Sequence, residues 1–186
     1  MSRFDRDRFH RSSNRRQDHD YHLNCMYFVT IKVHEGADLF GAVERGGIRM
    51  KPAARMLRLE WFALRERFAD VVPAAFIVMP DHVHGIITIG QSAESQGQPT
   101  SLPRVAQAYK SLTTRRYTQG VREDAWEPFN GKVWQRNYYD RIIRSQTELE
   151  AYERYIADNP RRRWEREFLP PSTSNRQFNA ERNHTL

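Results

Sequence analysis

Cys25 is the only cysteine in 186 residues, which excludes an internal disulfide and a cysteine-built zinc site and fits a reducing compartment. No apolar run approaches the roughly 18 residues of a membrane span. The arginine-studded N-terminus has no hydrophobic segment behind it, so the chain reads as soluble, unsecreted and cytoplasmic. Internal repeats are absent. Lysine is scarce too: Lys32, Lys51, Lys110 and Lys132 are the only four among 30 basic residues. The net charge of +7 is therefore carried by arginine. Its planar fork suits phosphate oxygens and stacks on bases, which favours a nucleic-acid partner and a place with the nucleoid. The alternative is a basic, solvated surface without a partner.

What is present has the length of one domain with a real core. Residues 1–22 hold Arg3, Arg6, Arg8, Arg11, Arg15 and Arg16 without apolar periodicity and read as a disordered basic arm. A single catalytic domain is expected over 23–168 and a flexible polar tail over 169–186. Within the domain, Tyr27–Val33 is rich in β-branched and aromatic residues and predicts a first strand. Glycines 36, 41, 46 and 47 punctuate a loop or hairpin. Ala54, Leu57, Trp61, Leu64 and Phe68 fall on one stripe of a helix from Pro52 to about Phe68. Phe76–Ile89 predicts two strands around a tight turn at Pro80-Asp81. A polar connection over 90–103 leads to a helix from Arg104 to Tyr117, its inner face set by Val105, Ala108, Tyr109 and Leu112. Lys132–Arg136 predicts a fourth strand running on toward Arg144. Ser145 and Glu148 form a capping box that starts a last helix, and Pro160 is expected to end it near Asn159. This order is that of a ferredoxin-like α+β sandwich, a small antiparallel sheet with helices packed on it.

Two places in that scheme carry chemistry. His82-Val83-His84 lies on a strand, so both imidazoles project from one side of the sheet, where neutral ring nitrogens can share a divalent cation. The plain alternative is a pair of part-buried histidines at a strand start. On the last helix, Leu149, Tyr152 and Ile156 form the inward stripe. Tyr155 lies to one side of it with Asn159 one turn on, so a hydroxyl and an amide oxygen flank one another. A tyrosine beside a metal is a potential nucleophile toward a phosphodiester. Alternatively, Tyr155 covers the core edge and Asn159 caps the helix.

Met79-Pro-Asp-His-Val-His84, Val133-Trp-Gln-Arg-Asn-Tyr-Tyr-Asp-Arg-Ile-Ile-Arg144 and Tyr155-Ile-Ala-Asp-Asn-Pro160, in this order and spacing, resemble the REP-associated tyrosine transposases. These are single-tyrosine HUH endonucleases, similar to the transposases of the smallest bacterial insertion sequences. The resemblance covers roughly residues 24–165. It implies that His82, His84 and Asn159 hold Mg²⁺ or Mn²⁺ and that Tyr155 is the nucleophile. Tyr155 would attack single-stranded DNA, leaving a 5′-phosphotyrosine link and a free 3′-hydroxyl. The substrates implied are hairpins of the REP or transposon-end kind with adjoining single strand. Lys110, Arg115, Arg136, Arg141, Arg144, Arg161, Arg162 and Arg163 are the candidate phosphate contacts. Whether the working unit is a monomer or a homodimer is left open by the sequence. One rival is a non-catalytic nucleic-acid-binding module on the same fold. Another is a metal-dependent hydrolase, which would want a second H-x-T/S motif and more carboxylates near His82 than the sequence offers.

Overall fold

Eight-residue stretches of β-branched and aromatic side chains form the long strands of a four-stranded antiparallel sheet. In the computed structural model, which describes residues 25–44, 47–90 and 100–169, these are β1 (Cys25–Lys32), β4 (Val71–Val78) and β5 (His82–Ile89). The fourth is the shorter β6 (Tyr139–Ile143), and the sheet order is β4-β5-β1-β6. A separate hairpin pairs β2 (Gly41–Glu44) with β3 (Gly47–Met50). The helices are α1 (Pro52–Phe62), α2 (Leu64–Arg67), α3 (Leu102–Glu123) and α4 (Gln146–Phe168). This is the expected ferredoxin-like sandwich, with helices on both faces of the sheet. The expected arm lies outside the described residues, as do 91–99 of the polar connection and the tail beyond Leu169.

Alternation divides the sheet chemically. Tyr27, Val29 and Ile31 of β1 and Val83, Ile87 and Ile89 of β5 join the main core under α1 and α3. Phe28 of β1, Ile86 of β5 and Ile143 of β6 turn the other way and meet Ile156 of α4, with Leu149 and Tyr152 alongside. His82 and His84 share parity with Ile86 and so belong to the α4 side. Gly85, between them and the core, shows why this parity is enforced. A Cβ there would come within 2.4 Å of Cζ2 of Trp61, whose ring is stacked on Phe76 and set edge-on to Tyr109.

Three local expectations are corrected. The helix over Pro52–Phe68 is broken at Ala63 into α1 and α2. Its stripe of Ala54, Leu57, Trp61, Leu64 and Phe68 is nonetheless buried. Lys132–Arg136 is not a strand: it makes one isolated bridge, Val33 to Trp134. Val133 and Trp134 are both buried, whereas a half-exposed strand would alternate. The sheet's fourth strand is β6 instead. Lastly, α4 does not stop at Asn159 but carries Pro160 inside it and runs on to Phe168. An interior proline costs a helix roughly 3 kcal/mol. Docking offsets this, because Ile156 and Asn159 on either side of the affected turn are buried. Arg161–Arg163 therefore lie within the helix and not beyond its end. The start of α4 is as expected, with Glu148 N–H donating to Ser145 Oγ at 3.2 Å. The Glu148 carboxylate accepts in return from Arg144 N–H, 2.7 Å away. α3 runs on to Glu123, and its buried set is Leu102, Val105, Ala106, Tyr109, Thr113, Tyr117 and Gly120, with Ala108 and Leu112 of the expected inner face only part-buried.

Candidate active site

The register of β1 against β5 pairs Thr30 with His84 and Lys32 with His82, all on the α4 face. This alignment fixes the outer edge of both imidazoles. Thr30 Oγ1 lies 2.8 Å from His84 Nδ1, and Asp81 Oδ1 lies 2.7 Å from His82 Nδ1. The inner edges converge, with the two Nε2 atoms 3.0 Å apart. A carboxylate only accepts, so His82 carries its proton on Nδ1 and turns a bare Nε2 lone pair inward. Thr30 can donate or accept. If it donates, His84 places a proton on Nε2 and bonds to His82. If it accepts, two lone pairs face each other and require a cation between them. Two ligands about 2.1 Å from an ion at a right angle stand about 3.0 Å apart, so the pair fits a divalent cation in its second state.

Electrostatics keep His84 uncharged in either state. His84 is 4% exposed; burial, helped by the neighbouring His82, pulls its pKa down to about 3, so it is neutral at physiological pH. Burial alone would raise the Asp81 carboxyl, but the hydrogen bond from His82, with Arg163 beyond, leaves it below its ordinary value. The residue outside the pair thus stays an anion that orients His82.

α4 crosses this pair with one row of side chains at helical spacing. Tyr155 sets its ring edge-on to His84, with centroids 5.3 Å apart, and edge-on to Phe28 at 5.7 Å. Two turns on, Arg163 Nη1 reaches Asp81 Oδ2 at 3.8 Å. Asn159 lies between them on the same row and is 5% exposed. Tyr152 stacks on Phe28 at 4.5 Å, which makes it a packing residue, as its place on the inward stripe predicted. Tyr155 is 36% exposed and keeps access to solvent. Among the described residues no group of three or more His, Cys, Asp and Glu side chains converges as a metal site.

The eight candidate phosphate contacts divide. Arg162 stands with its guanidinium 5.8 Å from the centroid of the Tyr155 ring, and exposed Arg141 shares the α4 face as the register partner of Phe28. Arg144 is exposed immediately before the α4 cap. Arg161 is engaged with Glu165 at 2.9 Å along the helix surface, and Arg163 is turned to Asp81. Lys110, Arg115 and Arg136 are remote from the histidines. They line a groove of about 620 Å³ between α3 and residues 131–138, on the other side of the sheet. There the Lys110 ammonium donates to the carbonyls of Gln135, Arg136 and Asn137 at 2.9–3.1 Å. It is thereby the tie that holds this irregular segment, and burial pulls its pKa down to about 8.

The sequence reading missed Thr30, Asp81 and Phe28. Asp81 adjoins His82 and could have been found as an orienting carboxylate. Thr30 and Phe28 become visible only once the register of β1 on β5 is known.

Comparison with known proteins gives the following. Residues 67–159 match the family model described as "Transposase IS200 like". The chain is 32% identical over 163 residues to an uncharacterized protein of Haemophilus influenzae, covering 81% of this chain and 88% of that one. Among solved structures it is similar to a REP-associated tyrosine transposase bound to a REP hairpin, with a TM-score of 0.57 and 16% identity. That match covers 81% of this chain and 75% of the other, and shows a shared fold. A putative transposase from Deinococcus radiodurans matches with a TM-score of 0.44 and 16% identity, over 77% of this chain and 95% of that one.

Proposed function

The chain belongs to the IS200-like transposase family, and from that premise we propose that it is a hairpin- or sequence-specific single-stranded DNA endonuclease and strand transferase with Tyr155 as nucleophile. The observation that carries this reading is the meeting of two inward-facing Nε2 atoms, 3.0 Å apart, with the solvent-accessible Tyr155 ring 5.3 Å from His84. His82, His84 and Asn159 would hold Mg²⁺ or Mn²⁺, and the bound ion would withdraw charge from a non-bridging oxygen of the scissile phosphate.

The chain's own residues do the rest. Tyr155 Oη attacks phosphorus, the P–O3′ bond breaks, and the departing 3′-oxygen takes up a proton while the phenol loses one. The product is a 5′-phosphotyrosine with a free 3′-hydroxyl, and attack by a 3′-hydroxyl reverses the step and rejoins a strand. Arg162, whose guanidinium stands 5.8 Å from the centroid of the Tyr155 ring, would offset charge developing on the phenolate and meet the incoming phosphate. Asp81, fixed by Arg163, keeps the His82 lone pair aimed inward, and Thr30 does the same for His84. Arg141 and Arg144 are placed to hold flanking phosphates. Arg163 and Lys110 would act as ties within the fold, through Asp81 and through the carbonyls of Gln135, Arg136 and Asn137. The structural relative's REP hairpin supports hairpin DNA, REP-like or transposon-end, as the partner.

The test is incubation of the full chain with hairpin oligonucleotides carrying single-stranded flanks, with Mn²⁺, followed by denaturing electrophoresis. A protein–DNA adduct is expected, lost in Tyr155→Phe and on chelation. An adduct that survives Tyr155→Phe would overturn the assignment of the nucleophile.

A further inference from the structure

The α4 face of the sheet continues past the histidines onto β1 and β6. The register pairs Thr30 with both His84 and Tyr139, and Phe28 with Arg141, so Tyr139, Arg141 and Lys32 stand on the same face as His82 and His84. Neighbouring strands lie about 4.8 Å apart, which puts the Tyr139 backbone about 10 Å from that of His84. β6 is the edge of the sheet, and Tyr139 is 49% exposed although it is a large aromatic residue on a strand. Its sequence neighbour Tyr138 is 9% exposed and joins the main core on the other face. The Lys32 ammonium stands 5.5 Å from the centroid of the Tyr139 ring. None of the residues that β1, β5 and β6 turn to this face is acidic.

From this arrangement we infer that Tyr139, Lys32 and Arg141 form a platform for one nucleotide of single-stranded DNA, next to the nucleotide whose phosphate reaches the histidine pair. The base stacks on the Tyr139 ring, and Lys32 exchanges its place over that ring for a phosphate. Arg141 takes the next phosphate along the edge strand. A ring with an open face flanked by cations is what sequence-tolerant binding of single strands requires. The inference rests on the reading of the histidine site as a DNA-processing centre, but it concerns binding and not cleavage.

The experiment uses the full chain carrying Tyr155→Phe, in EDTA, so that no strand is cut. Its binding to a fluorescein-labelled dT16 strand is followed by anisotropy over a range of salt concentrations. Tyr139→Ala and Tyr139→Leu are expected to weaken binding by about 5- to 150-fold, and Tyr139→Phe by no more than about twofold. Arg141→Ala is expected to lower the slope of log affinity against log salt by about 0.7, with the slope of Tyr139→Leu unchanged. Wild-type affinity in Tyr139→Leu would overturn the platform. So would a loss in Tyr139→Phe equal to that in Tyr139→Leu, which would assign the effect to the hydroxyl. Because the nucleophile and the metal are both removed, absence of a covalent adduct in the cleavage assay leaves this outcome readable on its own.

Discussion

Replacing Thr30 with valine removes one hydroxyl and nothing else of comparable size, and the geometry says where the loss will be felt. Thr30 Oγ1 and His84 Nδ1 are 2.8 Å apart in a buried setting. Without the hydroxyl, a proton on His84 Nδ1 has no acceptor, which costs about 1–3 kcal/mol. The metal-free protein has an escape: the proton moves to Nε2 and donates to His82 Nε2, 3.0 Å away. That leaves His84 Nδ1 a buried lone pair without a donor, so stability should fall by about 1 kcal/mol, the low end of the range for an unmade bond. A bound cation closes this escape, because it needs both Nε2 lone pairs at once. The cost then appears in binding, as a metal affinity lower by about 10- to 100-fold, the range usual for lost outer partners of metal-bound histidines. Calorimetric titration with Mn²⁺, paired with urea unfolding in EDTA, separates the two quantities. The reasoning is refuted if Thr30→Val binds Mn²⁺ as the wild type does, or if the whole loss appears in the EDTA unfolding curve.

The depressed pKa of His84 has a consequence for stability against pH. Its folded value of about 3 lies below the ordinary 6.5, so between these limits the unfolded chain binds a proton that the folded chain refuses. Stability in EDTA is thus expected to drop as pH falls below 6.5, by up to about 1.4 kcal/mol per unit from this group. The measurement is urea unfolding at several pH values, and a His84→Gln variant with the same slope as wild type would rule the histidine out as its source. Gly85→Ala should destabilise by about 1–3 kcal/mol in chemical denaturation, because the new methyl would meet a Trp61 ring held between Phe76 and Tyr109. An unchanged midpoint would mean that the ring can yield.

Much of this was legible because the site lies where local patterns are strongest. The alternation over residues 82–89 gave the shared face of the histidines, and the helical spacing of residues 149–159 gave the split between Tyr152 inside and Tyr155 at the boundary. What escaped depends on contacts distant in sequence. Thr30 is 54 residues from the histidine it orients, and nothing near it distinguishes it from any strand threonine. Pro160 was read as a helix end because proline's local cost is unfavourable everywhere, whereas the docking that overrides it comes from other elements. Among these are β2, β3 and β4, against which α4 packs. Residues 132–136 have strand-like composition, but both Val133 and Trp134 are buried and the backbone is tied by Lys110, so composition there reports burial and not pairing.

Gly85 does more than make room for an indole. A strand whose sides alternate has one bit of freedom in its placement, and a slip of one residue against β1 exchanges its two faces entirely. The apolar residues of β5 resist such a slip weakly, since Ile86 and Ile87 would trade places at little cost. A slip would, however, bring His84 or Ile86 to the point where Trp61 leaves no space for a Cβ. The single missing side chain thus works as a parity check, and the strand can be read in only one phase. Which surface of the sheet carries the histidine pair is decided, in that sense, from the opposite surface.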